Sequence, residues 1–164
     1  MTNQQQLIIK MALDPWNTQI MKADKLFNDL SDEQLQEEVA TGRNSGIYLL
    51  GHLTAVHDRM LPILNFGELL YPQLVDTFIN NPDKSETPIA SAGELRQYWK
   101  NINSTLADRF NQLQPDEWFQ RHNSISGEDF IKEPHRNKLN IIINRTNHLS
   151  YHSGQLIFLL KLNE

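Results

Sequence analysis

The most informative absence in this chain is that of cysteine. Without cysteine there are no disulfides, no thiolate zinc sites, no iron–sulfur clusters and no cysteine nucleophile. The sequence also has no glycine-rich phosphate loop, no His-Glu-x-x-His element and no Gly-x-Ser-x-Gly element. Any reactive group or metal site must therefore be built from other residue types.

Long hydrophobic runs are also missing. No apolar stretch approaches the roughly 18 residues of a membrane-spanning helix. The N-terminal segment MTNQQQLIIKMALDPW has no basic region, and Lys10 interrupts its short apolar run, so it does not resemble a signal peptide. We therefore expect a cytoplasmic protein with no membrane partner.

Basic charge is sparse. The 15 Lys and Arg residues are outnumbered by 20 Asp and Glu, which gives a net charge of −5. The basic residues are scattered rather than clustered, which argues against a nucleic-acid partner. The 164 residues predict a single domain, 1–164, large enough to fold without a structural metal. A metal ion, if bound, would therefore serve chemistry.

The apolar residues recur with a helical period, and strand-type alternation is almost absent. Asp14, followed by Pro15, predicts the start of a first helix. The inward face of this helix follows at spacings of three and four residues: Trp16, Ile20, Ala23, Phe27 and Leu30.

Three further long helices follow. Asn44 or Ser45 is a candidate cap for the second, the pair Ser91 and Glu94 predicts a capping box for the third, and the fourth covers approximately 137–162. Four long helices predict an all-α four-helix bundle. The connection 65–90 is long enough for a crossover and contains a predicted short helix at about 71–79, whereas 114–136 is predicted as an irregular arm or short hairpin.

Histidine supplies the candidate site. In the segment NHLSYHSGQL, His148 and His152 are four residues apart, which places them on one face of a helix. On the second helix, His52 shares its side with Leu49 and Val56. We therefore expect His52, His148 and His152 to point into the bundle at similar depth.

Three buried imidazoles are costly unless their polar nitrogens find partners, and one divalent cation can satisfy all three. Such a site leaves a coordination position for water or substrate. Asn144 and Gln155 are near enough on the helix to hold the outer nitrogens of the ligands. Histidines hydrogen-bonded within the core, without a metal, are the alternative interpretation.

The remaining histidines are predicted to lie outside the site. His57 is about 140° around the helix from His52 and would replace it only if the helix is rotated from the predicted phase. Together with His122 and His135, His57 is interpreted as a surface or loop residue. The three tryptophans, Trp16, Trp99 and Trp118, are interpreted as packing residues.

Two segments, LLGHLTAVHDRMLPIL and RNKLNIIINRTNHLSYHSGQL, resemble the DinB/YfiT-like superfamily of metalloenzymes, which is unrelated to the DNA polymerase of similar name. The resemblance extends over nearly the whole chain. It implies an up-down-down-up bundle with a long crossover between helices two and three. It also implies that His52, His148 and His152 bind a divalent metal ion, nickel, zinc or iron.

For function, the resemblance implies a metal-dependent enzyme acting on a small molecule. We expect a thiol S-transferase that activates a low-molecular-weight thiol, because a bound cation lowers the pKa of a thiol. A metal-dependent hydrolase of small amides or esters and a non-enzymatic binding bundle are the alternatives, and no catalytic residue is assigned. The resemblance and a second apolar face on helix two, with Leu50, Leu53 and Leu61, predict a homodimer; coverage of that face by a loop is the alternative.

Overall fold

The computed structural model describes residues 3–85 and 90–160, and its long elements are all helices. The four long helices are Asn3–Asp29, Gly46–Asp58, Ala92–Gln112 and Lys138–Leu156. In the described part of the chain there is no β-strand, only two isolated bridges, Glu38 with Ser45 and Arg121 with Asn137. The predicted all-α class is confirmed.

Short helical segments connect the long ones. They are Asp32–Gln36, Met60–Ile63, Gln73–Val75, the π-helical Asp76–Asn80, the 3-10 turn Pro115–Phe119, Gly127–Lys132 and the 3-10 turn Ile157–Leu159. The short helix predicted at about 71–79 is therefore present. The segment 114–136 contains two short helical turns instead of a hairpin. Within the described residues, no helix combines the length and apolar content that crossing a bilayer requires.

The first long helix begins earlier than predicted. It starts at Asn3 and continues through Pro15, although an interior proline removes one helical hydrogen bond. Asp14 does not cap the helix, because its carboxylate pairs with Lys10 at 2.6 Å. Ile9, Ala12 and Trp16 are all buried, so the apolar face of the helix extends across Pro15. This packing outweighs the helix start that Asp14 and Pro15 indicate locally.

The other helix starts follow their caps. Ser45 accepts a hydrogen bond from the Tyr48 amide, and Ser91 and Glu94 form the predicted capping box. Asn137 caps the fourth long helix, which ends at Leu156 before a 3-10 turn. This turn buries Leu159 and lets Gln34 donate to its carbonyl at 2.9 Å. The predicted end at residue 162 lies outside the described residues.

The long helices pack in pairs, the first along the fourth and the second along the third, and the second also meets the fourth. The predicted inward residues Trp16, Ala23, Phe27 and Leu30 are buried, whereas Ile20 is only partly buried. Trp99 and Trp118 are buried as well, as their interpretation as packing residues requires.

The second apolar face of the second long helix is not a free surface. Leu50, Leu53 and Leu61 are each at most 2% exposed, because the third helix and the connection 65–85 cover this side. These leucines therefore do not provide the dimer face that the sequence suggested.

The connection after the second long helix is held against it at two points. Asp58 accepts hydrogen bonds from the amides of Leu70 and Tyr71, both at 2.9 Å. Farther along, the ring of Phe78 packs where a Cβ on Gly51 would stand. Gly51 therefore allows the π-helical segment to approach the helix beside His52.

Replacement of Gly51 by alanine tests this contact. In Gly51→Ala the new methyl group overlaps the buried Phe78 ring, and we expect a loss of about 1–3 kcal/mol in the free energy of unfolding. Gly154→Ala is the matched control, because Gly154 is helical but its Cβ would meet open space. The control is expected to gain about 0.5–1 kcal/mol. Urea unfolding measures the free energy of unfolding of both variants. Equal values for Gly51→Ala and Gly154→Ala would contradict the packing role of Gly51.

Candidate metal centre

Three imidazoles meet where the second and fourth long helices touch. His52 comes from the second helix, and His148 and His152 come from the fourth. The Nε2 atom of His148 lies 3.3 Å from Nε2 of His52 and 3.1 Å from Nε2 of His152. One ligand atom from each ring lies within 4.8 Å of the other two. We call these residues the three-histidine cluster.

The outer nitrogens of two rings are held by oxygen acceptors. Nδ1 of His52 donates to the carbonyl of Phe78 at 2.8 Å, and Nδ1 of His152 donates to Oε1 of Gln155 at 2.7 Å. The Phe78 carbonyl is available because it lies at the end of its helical segment, where backbone acceptors lack intrahelical partners. With Nδ1 protonated, Nε2 of each ring carries a lone pair directed into the cluster.

This donor arrangement fits a divalent cation. Lone pairs about 3 Å apart repel, and one proton on His148 can serve only one of its two short contacts. Nitrogen ligands at about 2.0–2.1 Å from a tetrahedral zinc ion would lie about 3.3 Å apart, close to the separations of 3.3 and 3.1 Å in the cluster. Hydrogen bonds from the outer nitrogens to oxygen are the usual support of such ligands.

The predicted supporting residues differ in their placement. Gln155 contacts His152 directly, as three-residue spacing on a helix allows. Asn144 is exposed, and within the described residues no hydrogen bond joins it to the cluster. The carbonyl of Phe78 was not anticipated, because a backbone acceptor from a distant segment has no signature in sequence.

Burial keeps the cluster uncharged. It lowers the pKa of His52 and of His152, and it is the largest cause that lowers the pKa of His148 to about 4, followed by the positive charges of His152, His52 and Arg145. Neutral imidazoles are the form that binds metal.

His57 lies in the core, which corrects its interpretation as a surface residue. Its side chain is fully buried between Trp16 and Trp99, with ring centroids 4.9 and 4.8 Å away. The apolar face formed by Leu50, Leu53 and Leu61 surrounds His57 on the helix, and this pattern could have revealed its burial. His57 is not in the cluster, in agreement with its predicted exclusion.

The protonation of His57 follows from its partner. Asn103 donates through Nδ2 to the Trp99 carbonyl, so its Oδ1 faces His57 Nδ1 at 2.8 Å and accepts a hydrogen bond from it. Nε2 of His57 is then a buried acceptor without a partner in the described part of the protein. Burial, chiefly, lowers the pKa of His57 to about 3.

The last two histidines differ from each other. His122 is buried and its Nδ1 accepts from the Ser124 amide at 3.1 Å, so its interpretation as a surface or loop residue was right only in placing it in a connection. His135 is exposed, as predicted.

The largest described cavity lies apart from the cluster. It has a volume of about 580 Å³, lies between the first and third long helices, and is lined by Asp24 and Asn103 among others. Its inner lining includes the buried Phe27 and Trp99 and also Asn103, the partner of His57. No residue of the three-histidine cluster lines it.

Comparison with known families agrees with the geometry. The sequence model of the DinB superfamily matches residues 16–156, which span all three clustered histidines and Gln155. The chain belongs to the DinB superfamily. No curated protein matches the chain. The family resemblance noted from the segments LLGHLTAVHDRMLPIL and RNKLNIIINRTNHLSYHSGQL is thereby confirmed, and these segments contain the three clustered histidines of this DinB-superfamily protein.

The burial of His57 predicts a pH dependence of stability. An unfolded histidine has a pKa near 6.5, so between about pH 3 and 6.5 the unfolded chain binds the proton that folded His57 refuses. The contribution of neutral His57 to the free energy of unfolding is fully present above pH 6.5 and is lost as the pH falls towards the folded pKa of about 3. We expect His57→Gln to reduce the slope of unfolding free energy against pH in this window by up to about 1.4 kcal/mol per pH unit.

Urea unfolding between pH 4 and 7.5, with chelator present, measures this slope. His135→Gln, at an exposed position, is the control and should keep the wild-type slope. An unchanged slope in His57→Gln would show that folding does not lower the pKa of His57.

Proposed function

We propose that this chain is a divalent-metal-dependent enzyme that binds one metal ion through His52, His148 and His152. The observation that carries the proposal is the convergence of the three rings, with Nε2 atoms 3.1 and 3.3 Å apart and two outer nitrogens held by oxygen. Three protein ligands leave a position for a substrate atom, which is typical of catalytic sites. Zinc, nickel and iron all accept imidazole ligands.

We propose thiol S-transfer as the reaction. A divalent ion held by the cluster would lower the pKa of a bound thiol, so that the sulfur becomes nucleophilic. The sulfur of a low-molecular-weight thiol would attack a carbon electrophile; a carbon–sulfur bond forms, the leaving group departs with its electron pair, and the thiol proton is released. In support, a hydrolase needs a general base close to its metal-bound water, and no described carboxylate joins the converging imidazoles or hydrogen-bonds to them.

The protein's own residues would orient this reaction. Phe78 and Gln155 fix the rings of His52 and His152, so the direction of their lone pairs does not depend on the substrate. All three rings are half-buried, which limits water at the site. The substrate would bring the sulfur, since the chain has no cysteine.

We also propose the up-down-down-up order of the four long helices. Two sets of packing contacts support antiparallel second and fourth helices: Leu50 shares a core cluster with Leu149 and Leu156, and Met60 and Leu61 share one with Leu139 and Ile142. In these contacts the residue numbers increase along the second long helix as they decrease along the fourth, which is the order of an antiparallel pair.

A homodimer completes this proposal. Ile8, Met11 and Ile143 are exposed and line one depression between the first and fourth long helices, and a second copy would cover them. Sedimentation equilibrium tests this, and a monomer at every concentration would contradict it.

Metal analysis of protein purified without a histidine tag is the first test of the site. We expect about one zinc, nickel or iron per chain after loading, and a large loss of occupancy in His152→Ala with helicity retained. Gln155→Ala should weaken binding about 10–100-fold, since it removes the partner of a ligand. His135→Ala is the control. Equal metal content in wild type and His152→Ala would contradict the site.

Activity is tested on the metal-loaded protein. Low-molecular-weight thiols are offered together with an alkyl halide or epoxide, and simple amides and esters are offered separately. We expect thioether formation that is lost in His152→Ala. Hydrolysis alone would replace thiol transfer with the hydrolase function, and inactivity in both assays with metal bound would favour a binding protein.

A further inference from the structure

One cation beside the three-histidine cluster has no counter-ion. Arg145 precedes His148 by three residues, which places it on the same face of the fourth long helix one turn away. Its Nε atom is buried and has no hydrogen-bond partner among the described residues. No described carboxylate lies within ion-pair distance of its guanidinium.

Arg145 is the one half-buried arginine among the described residues that has no carboxylate partner, whereas the other arginines without one are exposed. Acidic residues outnumber basic ones by 20 to 15, and two other arginines have carboxylate partners, Arg96 with Asp32 at 2.5 Å and Arg136 with Glu133 at 3.0 Å. A partly buried guanidinium is expected to be paired, because desolvation of a lone charge is costly. The buried Nε of Arg145 therefore bears a desolvation cost that no hydrogen bond among the described residues offsets.

The surroundings of Arg145 are themselves positive. Burial is the largest cause that lowers the pKa of Arg145, and the positive charge of Arg59 lowers it further; the charge of Arg145 in turn adds to the burial that lowers the pKa of His52, His57 and His148. No carboxylate contributes to the pKa of any of these groups. The described charges that act on Arg145 and on these histidines are thus all positive.

Their position relative to the cluster follows from the helices. Arg145 is three residues from His148, an axial rise of about 4.5 Å, and Arg59 is seven residues beyond His52, about 10.5 Å at the same rise. Leu50 shares a core cluster with Leu149 and Leu156, whereas Met60 and Leu61 share one with Leu139 and Ile142. The two helices are therefore antiparallel, and both arginines lie on the same side of the cluster. A small molecule can span the distance from the three-histidine cluster to these arginines.

We propose that Arg145, assisted by Arg59, binds an oxyanion of the substrate, a carboxylate or a phosphate, while the reacting atom of the same molecule lies at the three-histidine cluster. A guanidinium matches either group because its parallel N–H donors pair with two oxygens at once. The inference rests on the proposed function, since it names the substrate class of that site as a small anionic molecule. A thiol that carries a carboxylate fits both parts of the site, because its sulfur would lie at the three-histidine cluster and its carboxylate at Arg145.

Metal-free protein tests this inference separately from the metal site. Sodium acetate and inorganic phosphate are titrated at constant ionic strength while the ¹⁵N-labelled Nε–H signal of Arg145 is followed by NMR. We expect saturable movement with at least one of the two anions, and the preferred anion distinguishes a carboxylate from a phosphate substrate. Binding should weaken tenfold or more in Arg59→Gln and remain unchanged in Arg43→Gln, an exposed control. Absence of saturable binding to both anions would overturn the proposal.

Thermal unfolding provides the second readout. Arg145→Met keeps most of the apolar stem and removes the unpaired charge, so without added anion it should melt at a higher temperature than wild type. It should also lose the anion-dependent rise in melting temperature that binding to the folded state produces. A lower melting temperature with the anion response intact would show a structural role for Arg145 and overturn the proposal. Because no metal is present in either measurement, a failed metal site leaves both results interpretable.

Discussion

The mutual approach of three imidazole nitrogens is the constraint on which the site region depends. Nε2 of His148 is within 3.3 Å of its counterparts in His52 and His152, and lone pairs at that separation repel unless a cation lies between them. The surrounding contacts prevent the rings from turning away. The Phe78 carbonyl holds His52, and Phe78 reaches it because Gly51 has no side chain. A small residue in one helix thereby controls a ligand direction through a separate segment of the chain.

Burial acts on the same groups in two ways. It keeps the three clustered imidazoles neutral, the form that binds metal, and it keeps His57 neutral between Trp16 and Trp99. The consequences differ because the partners differ. His57 has a side-chain amide on one nitrogen and no second imidazole within contact, so it adds polarity to the core without adding a ligand.

Sequence reasoning succeeded where the relevant residues are close in the chain. His148, His152 and Gln155 lie within two helical turns, so helical period alone predicts their shared face and the His152–Gln155 contact. It also placed His52, since its helix is long enough to define a core side. It failed where tertiary packing decides. Asp14 and Pro15 form a strong local start signal, yet the buried face of Ile9 and Ala12 extends the helix past them. His57 was misplaced because the second long helix is buried on nearly all sides, so one core side does not imply an exposed opposite side.

The proposed site has two parts: the three-histidine cluster, which would hold the reacting atom, and the guanidinium of Arg145, which would hold another part of the same molecule. The imidazoles converge on a single point, where only one atom of a substrate fits, and this arrangement says little about the rest of that molecule. Arg145 offers a second point one helical turn away, and its lack of a carboxylate partner within the described chain costs stability that a purely structural arginine would avoid. Proteins retain such costs mainly at functional sites. Under the two proposals, the cluster would determine the kind of chemistry and Arg145 would determine which molecules bind, and no described hydrogen bond joins the two.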